Sequence, residues 1–129
     1  MFSLVIGNLD NHVKNYALMY SSDWRSLRLT PLYDIVSTLI YPNTSKTLPL
    51  SLGGVQEVQS VTRGSIVQAA HDAGLGKSIA LERLDRIIEL IPNALTDAAN
   101  TLAEAGFTVA LDIAKRIMAE WNPRRKQLC

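Results

Sequence analysis

The chain has 129 residues, 47% of them hydrophobic and 19% charged, with 13 basic and 12 acidic side chains and a formal charge of +1. That length suits one domain with a usable core, and the balance excludes a disordered chain and a broadly basic nucleic-acid surface. No window approaches the roughly 20 apolar residues of a membrane span, and a lone cysteine, Cys129, excludes an intrachain disulfide and suits a reducing cytoplasm.

Met1–Ile6 is apolar but lacks the basic leader and small-residue cleavage site of a signal peptide. Phe2, Val5 and Ile6 fall on one helical face. The opening therefore reads as the last turns of a helix, and the chain as a C-terminal piece of something larger. Phe2, Leu4, Val5 and Ile6 are expected to leave an apolar patch there, and with it self-association.

Next comes Ile6-Gly7-Asn8-Leu9-Asp10-Asn11-His12-Val13-Lys14-Asn15. A turn needs one or two Asn or Asp residues for its own hydrogen bonds. Asp10, His12, Lys14 and Asn15 exceed that need, so this stretch carries the main functional signal.

Tyr16–Tyr20 and Leu27–Thr30 read as strands of a hairpin with its turn at Ser21–Ser26. Pro31 then interrupts pairing. Tyr33–Ile40 fits either a short helix or an extended segment. Tyr41–Ser60, with Pro42, Pro49 and Gly53-Gly54, is expected to be a mobile loop. From there the pattern is helical. Thr62 is placed as an N-cap with Val61 and Ile66 as a hydrophobic staple, and Gly74 as the stop. Ser78 is the expected cap of a helix whose apolar face runs Leu84, Ile87, Ile88, Ile91, Leu95, Ala98, Leu102, bent at Pro92 and ended by Gly106. A final helix carries Ala110, Ile113, Ala114, Ile117 and Trp121 on one face. Pro123 is expected to close it, leaving Arg124-Arg125-Lys126 as a solvated tail.

Asp10 and Asn15 stand five residues apart as Asp-x-x-x-x-Asn, and Asp34 follows beyond the hairpin. Phosphoryl transfer from ATP asks for those parts: a carboxylate to accept or orient the proton of the attacking hydroxyl, and an amide and a further carboxylate to hold metal ions. Asp-x-His is also compatible with a metal hydrolase, although no second His lies nearby. His71 sits among alanines on a predicted helix. Gly74-Leu75-Gly76-Lys77-Ser78 lacks the first glycine and the leading strand of a phosphate-binding loop and reads as a helix connection.

The string Ile-Gly-Asn-x-Asp-x-His-x-Lys-Asn, with Leu29-Thr30-Pro31-Leu32-Tyr33-Asp34-Ile35-Val36-Ser37-Thr38, resembles the C-terminal domain of the HipA-type serine/threonine kinases, toxins of bacterial toxin–antitoxin pairs. The resemblance implies a mainly α fold with a small β-hairpin, the C-terminal lobe of a kinase-like fold, over residues 1–129. It implies Asp10 as catalytic base, Asn15 and Asp34 as Mg2+ ligands, and His12 and Lys14 beside the transferred phosphoryl group of ATP. The phosphate-covering loop and the ATP-gripping lysine of such kinases have no counterpart before Asp10. The expectation is thus a cytoplasmic catalytic portion, inactive until an N-terminal kinase lobe is supplied. Its other implied partners are a protein substrate and a helix-turn-helix antitoxin, with nucleic acid reached only through the antitoxin and no membrane. The competing expectations are a non-catalytic module that binds the antitoxin or a complementary lobe, and a kinase of lipids or small molecules.

Overall fold

The computed structural model describes residues 1–129 throughout. In chain order the elements are α1 (Phe2–Ile6), β1 (Leu18–Tyr20), β2 (Leu27–Leu29), β3 (Thr47–Leu52), β4 (Val55–Glu57), α2 (Arg63–Asp72), α3 (Lys77–Glu104) and α4 (Val109–Leu128). Single 3-10 turns sit at Val13–Asn15, Thr38–Ile40 and Val58–Ser60. The fold is mainly helical, as expected, but it holds two antiparallel hairpins rather than one.

The second hairpin replaces the expected mobile loop. Pro49 lies inside β3, where it has no N–H to donate, and only the end pairs Thr47 with Glu57 and Leu52 with Val55 are in register. Its turn is Gly53-Gly54, with φ of 57° and 82°, the left-handed pair that a two-residue hairpin turn requires. Gly53 has a second constraint, since a Cβ there would lie 2.3 Å from the Ser65 carbonyl oxygen. Leu48, Leu52 and Val55 pack against the core, so apolar contact holds this short ladder in place.

α2 begins as expected. Thr62 and Ser65 form a reciprocal capping box, and Val61 and Ile66 are both buried beside it. α3 starts one residue after Gly76 without a side-chain cap, so Ser78 is already inside the helix. Its buried face is Ala80, Leu84, Ile88, Ile91 and Ala99. Leu102 is exposed and Ala99, not Ala98, faces inward, because the helix outruns the small core and its register turns with length.

α4 corrects two further expectations. It passes through Pro123 and ends at Leu128. Proline costs the helix one hydrogen bond and a local clash, but Arg124 and Leu128 beyond it are buried and hold the last turn. Arg124 is therefore a core residue and not part of a solvated tail. Around Trp121 and Leu84, both fully buried, one core gathers α1, α2, α3 and α4 with Val58 and Val61. A side chain as large as Leu84 contributes about 1.5–3 kcal/mol when buried.

Leu4 and Val5 of α1 lie in that core, Ile6 is half-buried and only Phe2 is exposed among the four residues expected at the surface. Five exposed apolar side chains, Leu18, Tyr20, Trp24, Leu27 and Leu29, share the first hairpin instead. Every strand residue of that hairpin except the half-buried Met19 is exposed, and Tyr20 stacks on Trp24 with ring centroids 5.0 Å apart.

Candidate active site

α1 delivers the polar stretch. Five residues are too few for a helix to persist on its own, and this one is held from outside. The Arg124 guanidinium donates through Nη1 to the Leu4 carbonyl at 2.7 Å and through Nη2 to the Val5 carbonyl at 3.1 Å. Gly7 then turns the chain at φ 77°. Its own N–H bonds the Leu4 carbonyl, and the Asn8 N–H bonds Ser3 at 2.8 Å, the paired closure of a Schellman motif. A side chain at Gly7 would press on Leu39.

The second motif is fastened to this corner. Ser37 Oγ donates to the Ile6 carbonyl at 2.6 Å and Thr38 Oγ1 to the Gly7 carbonyl at 3.1 Å. Thr38 Oγ1 also accepts from the Leu9 N–H at 2.9 Å, and the Leu39 N–H bonds Gly7 at 3.1 Å. Gly7–Leu9 and Ser37–Leu39 thus form one unit, although about thirty positions separate them in the chain.

Within the first stretch, Asn8 Oδ1 accepts from the Asp10 N–H at 3.0 Å and shapes the turn. Asn8 is buried, and its Nδ2 has no partner. His12 Nε2 lies 3.0 Å from Asp10 Oδ1, in a pair that is about half exposed. Asn15 closes the loop, its Nδ2 donating to the Asp10 carbonyl at 2.9 Å. That bond fixes the amide and leaves Oδ1, which receives no donor from the chain, as the free end of the side chain. Asp10, His12 and Asn15 are therefore joined directly. Lys14 is exposed, and its side chain makes no hydrogen bond or ion pair within the chain.

Asp34 is placed by its neighbours. The Tyr33 hydroxyl donates to the Lys14 carbonyl at 3.1 Å, linking the residue before Asp34 to the residue before Asn15. Asp34 has φ 54°, a left-handed conformation that Asp tolerates better than most residues and that non-glycine residues adopt at functional sites at a cost of about 1–3 kcal/mol. Its carboxylate is exposed and takes no bond from Asp10, His12 or Asn15.

Chemically, Asp10 offers one carboxylate oxygen paired with an imidazole and one free to accept a proton. Asn15 Oδ1 and the Asp34 carboxylate are oxygen donors without protein partners, suited to a hard divalent cation completed by phosphate oxygens and water. No three His, Cys, Asp or Glu side chains cluster closely enough to hold a metal by themselves. Sequence reasoning gave no site role to Asn8, Tyr33, Ser37, Thr38 or Arg124. The middle three stood inside the second motif, and their polar side chains amid Leu32, Ile35, Val36 and Leu39 were the available signal. Arg124 carried no signal at all.

The sequence model of the family described as HipA-like C-terminal domain matches residues 1–95. Y4mE of Sinorhizobium fredii, a kinase-named protein, is 28% identical over 95 residues, which is 74% of this chain and 22% of that protein. The serine/threonine-protein kinase toxin HipA of Shewanella oneidensis is 27% identical over 97 residues, covering 75% of this chain and 22% of its own length. A solved structure of Shewanella oneidensis HipA with HipB and operator DNA superposes on 96% of this chain and 29% of that one, with a TM-score of 0.77 and 22% identity. The chain thus spans about a fifth of the length of the curated relatives it matches.

Proposed function

The chain belongs to the HipA-like C-terminal domain family, and from that premise we propose that it is the catalytic portion of a protein serine/threonine kinase, carrying the base and metal ligands for phosphoryl transfer from ATP. The observation that carries this reading is the free oxygen set: the open oxygen of Asp10, Oδ1 of Asn15 and the unpaired Asp34 carboxylate, on two segments tied together by Tyr33, Ser37 and Thr38.

In this reading Asp10 accepts the proton of the attacking seryl or threonyl hydroxyl, and His12 orients its carboxylate. Asn15 and Asp34 would hold Mg2+, which would supply positive charge to offset that of the phosphates. Lys14 is free to meet a phosphate oxygen. The groups that bury adenine and grip the triphosphate belong to a complementary N-terminal lobe, so the 129-residue chain by itself is expected to bind Mg-ATP weakly and to transfer nothing. Most of the rate in phosphoryl transfer comes from positioning and charge stabilisation, so half a site gives far less than half the rate.

The test supplies the lobe, fused or as a second chain, and follows labelled phosphate from ATP to protein. Asp10→Ala is expected to abolish transfer with nucleotide still bound, and Asp34→Asn to weaken the Mg-ATP complex itself. Asn is the informative replacement, because Ala at φ 54° would add backbone strain to the loss of the carboxylate. Micromolar Mg-ATP binding to the isolated chain, indifferent to Asp34→Asn, would overturn the assignment.

A second reading rests on the exposed apolar hairpin and on the HipB and operator DNA in the neighbouring structure's complex. In it the chain is an interaction module that binds a helix-turn-helix antitoxin or a kinase lobe without catalysis, meeting nucleic acid only through that antitoxin. Retained binding of the partner by an Asp10→Ala, Asp34→Asn double variant, with no transfer by the wild type, would favour it.

A further inference from the structure

Asp10 and His12 open onto a cleft of about 420 Å3, whose other polar walls are Thr38, Thr44, Ser45 and Thr47. This is within the size range of ligand pockets, about 300–1,000 Å3. Its hydrogen-bonding sense is one-sided. Thr44 Oγ1 donates to the carbonyls of Thr38 and Tyr41, and Thr38 Oγ1 to that of Gly7. Thr47 Oγ1 donates to the Glu57 carboxylate at 3.2 Å. Three of the four hydroxyl protons are thereby committed to acceptors of the chain; Thr38 Oγ1 also accepts from the Leu9 N–H, whereas Thr44 Oγ1 and Thr47 Oγ1 receive no donor from the chain. Ser45 Oγ accepts from the Thr47 N–H and alone keeps an uncommitted proton. The imidazole of His12 is engaged by Asp10, and no lysine or arginine lines the cleft.

Such a wall is rich in acceptors and poor in donors, with the Asp10 carboxylate at one end and that of Glu57 behind Thr47. A ligand satisfies it by bringing donors. We propose that this cleft receives the phosphoacceptor segment and selects one whose seryl or threonyl hydroxyl is flanked by a cationic side chain, the hydroxyl meeting Asp10 and the cation meeting Thr44 and Thr47. The inference rests on the kinase reading for the role of Asp10, while the selection rests on the hydroxyl wall.

Binding can be read on the 129-residue chain without catalysis. The probes are the peptides Ala-Arg-Ser-Arg-Ala and Ala-Glu-Ser-Glu-Ala, each capped at both ends and titrated to 10 mM against the labelled chain by NMR. The arginine peptide is expected to bind at least ten-fold tighter, with the largest shifts at the amides of Thr44–Thr47. Thr47→Val, which removes the hydroxyl at nearly constant volume on an exposed strand, is expected to weaken it about five-fold. The chain's net charge of only +1 gives no general attraction for either peptide. Equal affinities, a preference for the glutamate peptide, indifference to Thr47→Val or no binding of either probe would each overturn the proposal. Arginine-peptide binding at this wall with no phosphate transfer in the lobe-supplied assay would refute the kinase reading alone. Transfer with no preference between the peptides would refute the cleft alone.

Discussion

Arg124→Met removes the one cation that holds α1 in place. Arg124 is only 5% exposed, and burial holds its guanidinium below the ordinary arginine pKa while leaving it charged. It stacks on Trp121 with Cζ 5.5 Å from the ring centroid and donates to two α1 carbonyls and to Glu120 of its own helix. After the change, Leu4 O keeps the Gly7 N–H, but Val5 O loses its only donor from outside the helix. A hydrogen bond from a charged donor is worth about 1.5–3 kcal/mol, and an orphaned buried carbonyl costs about 1–3 kcal/mol. Against this stands the relief of no longer burying a guanidinium, which often makes an apolar replacement less damaging than the bonds suggest. The expected net loss is about 3 kcal/mol, a large share of the roughly 5–15 kcal/mol of a typical domain. Arg124→Lys keeps the charge but not the fork, reaches one carbonyl at a time, and is expected to lose about half as much. Urea unfolding followed by circular dichroism measures both. Amide exchange at Asn8 and Leu9 gives the local readout, since their N–H groups bond Ser3 and Thr38 only while α1 is in place. A midpoint for Arg124→Met within about 0.5 kcal/mol of wild type, the usual range of a surface change, would refute the claim that α4 braces the site.

Three further outcomes are expected. Asp85 is held below the ordinary carboxylate pKa by its hydrogen bond from Arg63, so its contribution is present above the unfolded pKa of about 4 and is lost as pH falls through the lower folded value; the difference in stability between wild type and Asp85→Asn should shrink toward zero across that acid window, and a difference independent of pH would count against the pair. Gly53→Ala and Gly54→Ala both place a side chain at a left-handed φ, but only the first also meets the Ser65 carbonyl, so the first is expected to cost about 3 kcal/mol and the second about 1 kcal/mol in urea unfolding; equal costs would remove the packing argument. Leu18→Thr with Leu29→Thr, on the exposed hairpin, is expected to reduce self-association at high concentration in sedimentation experiments without changing the unfolding midpoint, and an unchanged association would place the contact elsewhere.

Local chemistry determined a good deal by itself. Thr62 with Ser65, Gly7, Gly74 and Gly106 mark their helix ends through side-chain caps or left-handed backbone, which need no distant partner. The first hairpin was legible from two apolar runs around a polar turn, and the second could have been from Gly53-Gly54, had Pro49 not masked the strand before it. Of the five candidate site residues, Asp10, His12, Lys14 and Asn15 stood out because they exceed what turns require, and Asp34 through its place beyond the hairpin and the family resemblance. What only the tertiary structure decided is how those residues are held. No periodicity shows that Tyr33 reaches Lys14, that Ser37 and Thr38 clasp Ile6, Gly7 and Leu9, or that Arg124 caps a helix 119–120 positions earlier. A guanidinium after Pro123 has the sequence signature of a solvated tail. It became a core residue because α1 is too short to stand alone and exposes carbonyls that only a buried donor could satisfy.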